Sequence, residues 1–393
     1  MTGCGRMAKR ASNAQRAAVG TLIVAGGLLA LGAIALGSLS VFVARKVITP
    51  SKKRIEDIRI VASTATTITL SPTLDSLLPG TYSFWFARGS GHAKIGDILE
   101  RTATSVTRQL LAVDFGDLAA SERGYLAGWV YLGPGELGMA YEDVEIETPV
   151  GPAPAWVVPA TDDNGRWLIG VHGRGVRRQE TLRALEVTRR CGYTSLLVSY
   201  RNDGDAPQSD DGRYGLGDTE WRDVDAAIDF AIARGATEIV LMGWSMGGAT
   251  VLQVATRSAN AGLIRGLILE SPVVSWLPTL NFQAQVMRIP KPVSALAANL
   301  IGAGWAGPLT GQHEPISLER LDFITRASEL TVPILLLHSA DDGYVPPEAS
   351  RALAEARPDL VTYDEFAIAR HTKLWNYDPE RWNSDIGSWL SRL

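Results

Sequence analysis

The sequence predicts an α/β fold: a doubly wound, mostly parallel sheet carrying a cap insertion, preceded by a transmembrane helix and a small β-rich domain. Three observations carry this expectation. From about residue 141, near-continuous apolar runs alternate with amphipathic ones, the rhythm of parallel strands covered on both faces by helices. Residues 17–44 run 28 positions without a charge. Between them, residues 55–140 offer short β-branched and aromatic runs broken by Pro and Gly, the pattern of a β-rich unit.

At 393 residues and 46% apolar content the chain is long enough for two or three domains with large cores. Its formal charge of -4 hides an asymmetry, because residues 1–54 hold nine Lys and Arg and no Asp or Glu. The remainder is therefore strongly acidic, which argues against nucleic acid as a partner. Cys4 and Cys191 lie in regions too different for a mutual bridge, so no disulfide framework is expected.

Residues 1–16 read as a basic tail and 17–44 as a membrane-spanning helix, about 42 Å long at 1.5 Å per residue against a hydrocarbon core of about 30 Å. A cleaved signal peptide is the competing reading, with Ala33-Ile34-Ala35 as a small-x-small site, but the apolar run continues well past it. The absence of a polar face disfavours a buried core helix. Basic residues flank both ends, including Lys52 and Lys53, so orientation is not fixed by charge. Residues 45–54 read as a basic linker.

In the β-rich stretch, "IRIVAS", "TTITLS", "YSFWFARG" and "GYLAGWVYLG" are the expected strands. His92 has no second His or Cys at metal-ligand spacing and reads as a surface group. No metal site and no cofactor is expected anywhere in the chain. Within 141–393, "RWLIGVH", "YTSLLVSY", "EIVLMGW", "IRGLILES", "VPILLLHS" and "VTYDEFA" read as strands. "RQETLRALEVTRRCG", "DTEWRDVDAAIDFAIARG" and "MGGATVLQVATRSA" read as helices between them. Ligands of such sheets bind beyond the carboxyl ends of the strands, so chemistry is sought there.

Ser245, in "GWSMGG", falls directly after one buried strand and before a helix. In a chain with 39 glycines the five-letter pattern alone is weak, but the position is that of a nucleophile elbow, where small neighbours allow a strained turn. The helix start behind it offers the Met246 amide to a developing oxyanion. A serine needs a base, and of five histidines only His371 follows the late acidic cluster, giving the order Ser, Asp, His. Asp341 and Asp342 both follow a strand; the spacing to Val345-Pro346 favours Asp342 as the acid that orients the imidazole and leaves Asp341 as a loop-fixing or solvated group.

With "HGRG" at 172–175, "GWSMGG" at 243–248, "HSADDGYVP" at 338–346 and His371 in order, residues 141–393 resemble the α/β-hydrolases. The resemblance implies that Arg174 supplies a second oxyanion amide beside Met246 and that His172 is structural. "SYRNDGDAP" resembles the Tyr-Arg segment of membrane-anchored α/β-hydrolase-domain proteins and of the prolyl oligopeptidase group, but departs from their usual continuation. The resemblance does not reach residues 1–140.

Residues 272–331 are the expected cap, whose Trp276, Phe282, Met287 and Trp305 are open to two roles: lining an apolar acyl pocket or packing the cap onto the body. Trp244 and Arg201 are candidates for contact with substrate. Arg174, Arg177, Arg178 and Arg201 follow strands on the same side and could bind an anion, although such arginines more often pair with neighbouring acids, which "NDGDAPQSDDGRY" supplies. The expectation is a membrane-anchored serine hydrolase that cleaves an ester or related acyl substrate, small and acyl or lipid-like, through a Ser-His-Asp triad and an acyl-enzyme. A prolyl oligopeptidase-type peptidase, an acyltransferase and a catalytically idle binding module are the other readings.

Overall fold

The computed structural model describes residues 31–51 and 54–393. The basic tail 1–16, Cys4, the expected span through residue 30, Lys52 and Lys53 lie outside the described residues.

Helix α1 is described over Leu31–Ile48 and has a mean hydropathy of 1.7. It is long and apolar enough to cross a membrane by length and composition, a property shared by signal sequences near an N-terminus. Leu31, Ile34 and Phe42 are exposed, whereas Ser40, Ala44 and Ile48, one turn apart, are fully buried. That stripe seats the last turns of α1 on the main body, where Tyr214 N–H donates to the Ile48 carbonyl at 2.8 Å and Arg45 Nε to the Leu309 carbonyl at 2.7 Å. The start of the stretch read as a linker is thus helical and docked.

Six antiparallel strands close a barrel in the order β1-β2-β5-β4-β3-β6. They are β1 Ile58–Ser63, β2 Thr67–Leu70, β3 Tyr82–Phe86, β4 Gly91–Arg101, β5 Val106–Phe115 and β6 Arg123–Ala127. Closure removes unpaired edges, and Ile68, Leu70, Tyr82, Phe84, Phe86, Ile95 and Leu126 fill the interior. On β5, Val106, Arg108 and Leu110 alternate inward, so an arginine is fully buried in the barrel. Among the described residues no carboxylate forms an ion pair with it. Its guanidinium donates to the carbonyls of Ser76, Leu78, Gly80 and Gly96 at 2.6–3.1 Å and lies over the Tyr82 ring. Burial pushes its pKa down to about 10, so it stays charged at neutral pH.

His92 is not a surface group. It is fully buried, with Nδ1 2.7 Å from Asp114 Oδ2 and Nε2 2.7 Å from Ser83 Oγ. Ser83 Oγ also donates to the Trp129 carbonyl at 2.7 Å, so one hydroxyl links the imidazole to the backbone. Strand β3 is buried on both faces, and the Trp85 and Phe115 rings pack beside the imidazole; that enclosure is what the sequence did not reveal.

The main sheet has eight strands, in the order β14-β13-β12-β11-β9-β10-β8-β7. An antiparallel hairpin, β7 Glu142–Thr148 and β8 Gly151–Val158, leads into β9 Arg166–Val171, α2 Leu185–Arg190, β10 Thr194–Val198, α3 Trp221–Ala233, β11 Glu238–Trp244, α4 Met246–Arg257 and β12 Ile264–Glu270. The insertion that follows holds α5 Trp276–Val286, α6 Lys291–Gly302 and α7 Gly307–Thr310. β13 Ile334–Ser339, α8 Glu348–Ala356, β14 Val361–Phe366, α9 Leu374–Tyr377 and α10 Pro379–Leu390 complete the chain. From β10 through β14 all neighbours are parallel. Alternation along β11 sends Ile239 and Leu241 to one core with α3 and α4, and Val240, Met242 and Trp244 to another with α2 and α10.

Arg108→Met is expected to leave four barrel carbonyls without their donor and to lower stability by about 3 kcal/mol. Chemical denaturation followed by tryptophan fluorescence, compared with the wild type, measures the loss.

Candidate active site

Ser245 joins β11 to α4 with φ 52° and ψ −114°, a conformation that a side chain adopts only when its surroundings impose it. The imposition is steric. A Cβ on Gly247 would lie 2.2 Å from the Val171 carbonyl oxygen, and one on Gly243 2.5 Å from that of Gly247, so strand and helix approach as closely as glycines permit. Ser245 N–H donates to the Glu270 carbonyl at 3.0 Å, and its own carbonyl accepts from Val273 at 3.1 Å. The side chain is left to face the carboxyl ends of the strands.

There Ser245 Oγ stands 2.9 Å from His371 Nε2, and His371 Nδ1 stands 2.7 Å from Asp342 Oδ2. The sequence spaces these three over 126 residues; the sheet brings β11, β13 and the loop after β14 to one edge. Asp342 Oδ1 accepts from the amides of Tyr344 and Val345 at 2.8 and 2.9 Å, and Oδ2 also lies 3.2 Å from His338 Nε2. Burial works to raise this carboxyl, but electrostatic interaction with His371 and hydrogen bonds from His338 and His371 outweigh it and hold the group well below the usual carboxylate range. Asp342 is therefore ionised. Asp341 instead accepts from Ser339 Oγ at 2.7 Å and Arg370 N–H at 2.9 Å and fixes the loop.

The segment after β9 lies against the serine, since a Cβ on Gly173 would be 3.3 Å from Ser245 Cβ. Gly173 N–H donates to Glu180 Oε2 at 2.6 Å and Gly175 N–H to Asp203 Oδ2 at 2.9 Å, with the Arg174 amide between them. Met246 begins α4, where backbone amides have no partner within the helix. His172 stacks on Tyr200 with ring centroids 4.2 Å apart, its Nδ1 2.8 Å from the Gly173 carbonyl. Burial pushes its pKa down to about 4, so it is a neutral brace under the segment.

Residues 168–384 match the family model described as Alpha/beta hydrolase family. The chain belongs to the α/β-hydrolase family. An esterase of Pyrococcus furiosus, solved in three crystal forms, superposes on this α/β-hydrolase with TM-scores of 0.52, 0.51 and 0.51 at 18%, 19% and 20% identity. The overlap covers 67% of this chain and 94%, 96% and 94% of the esterase. At that identity the likeness shows the fold alone. Residues 59–127, the barrel, match the model of a domain of unknown function (DUF8805). No curated protein matches the sequence.

Two candidate substrate contacts are not brought to the site of this α/β-hydrolase. Trp244 is fully buried on the far side of the sheet, with Nε1 donating to Glu270 Oε2 at 2.9 Å, because alternation along β11 turns it away from the serine's side. Arg201 is buried and spent on Asp223, with Nε–Oδ2 at 2.9 Å and Nη2–Oδ1 at 2.6 Å. Arg177 and Arg178 both face Asp205. In the insertion, Trp276 packs into the core and donates to the Leu216 carbonyl at 2.7 Å, whereas Trp305 is 73% exposed and Met287 48% exposed. Those three cap residues do not form one pocket lining.

Sequence reasoning missed Glu180, Glu270 and Tyr344. Glu180 lies in "RRQETLRAL", which reads as an ordinary exposed helix, yet it is buried and anchors Gly173. Glu270 accepts from the indoles of Trp244 and Trp382 at 2.9 and 2.8 Å beneath the elbow; a glutamate ending an apolar strand in "GLILES" is the one visible hint. Tyr344 stacks on His371 at 5.1 Å, and its carbonyl accepts from Gln283 Nε2 of α5 at 2.6 Å, which ties the insertion to the loop that carries Asp342. Among the described residues, no three His, Cys, Asp or Glu side chains group as a metal site.

The lowered pKa of His172 makes a pH prediction. The unfolded chain takes up a proton below about pH 6.5, which the folded chain refuses until about pH 4. This group therefore supports folding at neutral pH and withdraws support as pH falls across that window. In His172→Phe the withdrawal is absent, so the stability of the variant relative to wild type should rise by about 3 kcal/mol from pH 7 to pH 4 in urea titrations.

Proposed function

We propose that the chain is a membrane-anchored serine hydrolase that cleaves an ester or related acyl substrate through an acyl-enzyme. The observation that carries this is the continuous hydrogen-bonded line from Ser245 Oγ through both nitrogens of His371 to a buried, ionised Asp342.

Ser245 Oγ attacks the acyl carbon as its proton passes to His371 Nε2. The imidazolium so formed keeps its Nδ1–H on Asp342, whose fixed negative charge offsets the new positive one. Charge on the carbonyl oxygen is taken by the Met246 and Arg174 amides; the amides flanking Arg174 already serve Glu180 and Asp203, which aims the segment without consuming the Arg174 N–H. His371 returns the proton to the departing alkoxide, and the carbon–oxygen bond breaks. Water then attacks the acyl-serine with His371 as base, releasing the acid and restoring Ser245. Helix α1 is the membrane anchor of this reading, and its docked foot supports a substrate that is acyl or lipid-like.

On p-nitrophenyl esters the full-length chain in detergent is expected to turn over. Ser245→Ala should lower kcat by about 10⁶ and Asp342→Asn by about 10⁴. Carbonate-washed membranes should retain the wild-type chain. Ester turnover that persists in Ser245→Ala, or none in wild type across acetyl to palmitoyl chains, would overturn the reading.

A further inference from the structure

We propose that the barrel is a strut for the base: Asp75 and the backbone at Thr81 and Gly128 hold the His371 loop in its working conformation through Asn376, Arg183 and Lys373, which act as positioning residues. The inference rests on the Ser245–His371–Asp342 reading and assigns a role to the domain that precedes it.

His371 stands between two residues that adopt left-handed backbone conformations without being glycine, Arg370 at φ 60° and Thr372 at φ 50°. For a β-branched threonine this is costly, and such backbone persists only where its neighbours over-determine it. Half of the restraint comes from the hydrolase itself. Arg370 N–H donates to Asp341 Oδ1 at 2.9 Å, and Thr372 N–H donates to Ser271 Oγ at 3.2 Å.

The other half comes from the barrel. Asp75, in the β2–β3 connection, lies 2.9 Å from Lys373 Nζ and 3.9 Å from Arg370 Nε, so one carboxylate pairs with residues on both sides of His371. Asn376, buried, donates from Nδ2 to the carbonyls of Thr81 and Gly128, each at 2.7 Å. Its Oδ1 accepts from Arg183 Nη1 at 2.9 Å, and the same nitrogen donates to the Thr372 carbonyl at 2.7 Å. Hydrogen bonds thus run from barrel backbone to the peptide beside His371 through two buried side chains. The approach is too close for a side chain on the barrel side: a Cβ on Gly128 would stand 2.9 Å from the Thr372 carbonyl oxygen, and one on Gly80 1.9 Å from that of Asn376. The barrel stiffens both of its contact segments internally. Arg108 ties down residues 76–80, and the Asp114–His92–Ser83 line ends on the Trp129 carbonyl next to Gly128.

The test is steady-state kinetics of full-length Asp75→Asn and Asn376→Ala on a short p-nitrophenyl ester, with thermal unfolding recorded for each and Ser245→Ala alongside. Displacement of the base by a fraction of an ångström predicts kcat lower by about tenfold in Asp75→Asn and about 100-fold in Asn376→Ala. KM should stay within twofold and the folded fraction at assay temperature unchanged. Asp75→Glu should recover most of the loss, which a role in folding alone does not predict. If kcat stays within twofold in both variants, or falls only in proportion to the folded fraction, the strut is wrong. Activity surviving in Ser245→Ala would instead overturn the triad reading, and the strut with it.

Discussion

A negative charge buried at the end of β13 sets the terms for everything around it. Asp342 is shielded from water, so its charge must be answered by donors placed in advance. Two backbone amides, His338 and His371 supply them. The consequence is that His371 is oriented by the same bond that satisfies Asp342: one ring nitrogen is committed to the carboxylate, which leaves Nε2 for Ser245. His338 belongs to the same account. With Nε2 directed at Asp342 and the Val345 carbonyl, and Nδ1 at Ser350 Oγ, it is a second donor to the acid and is fixed in one tautomer.

The geometry is held against backbone preference. Ser245, Ser271, Arg370 and Thr372 all take positive φ, and all four lie at or beside the elbow and the base. Strain of this kind concentrates where side chains must be presented at fixed distances, and it requires a rigid surround. That surround is a run of buried polar contacts: Glu270 under the elbow, Glu180 under the segment after β9, and Asn376 with Arg183 under the base. The barrel enters this picture through backbone contacts at Gly80, Thr81 and Gly128. The foot of α1 enters through Arg174, whose Nη2 lies 3.3 Å from the Lys46 carbonyl.

What was legible in the sequence follows from which features are local. "EIVLMGW" reads as a strand because it is apolar on both faces, and it forms β11 residue for residue. Ser245, Asp342 and His371 were legible because chain order and strand ends constrain them. In the barrel, β1, β2, β3 and β6 were legible from aromatic and β-branched runs, while β4 and β5 were not, since Lys94, Asp97, Glu100, Arg108 and Asp114 interrupt the apolar pattern. The roles of Glu180, Asn376 and Asp75 depend on contacts between segments far apart in the chain, 193 residues for Arg183 and Asn376, and no local pattern encodes them. Arg201 and Trp244 are not brought to the serine: Arg201 is paired with Asp223 on another element, and alternation along β11 turns Trp244 to the far face, onto Glu270.

The account stands on Ser245 as the atom that takes the acyl group. The most direct measurement is peptide mass mapping of the full-length chain, acid-quenched within milliseconds of mixing with a p-nitrophenyl ester. The account predicts a mass increase equal to the acyl group on the peptide containing Ser245, lost with time as water completes the cycle. An acyl adduct on any other residue, or turnover with no adduct on the Ser245 peptide at any quench time, would contradict it.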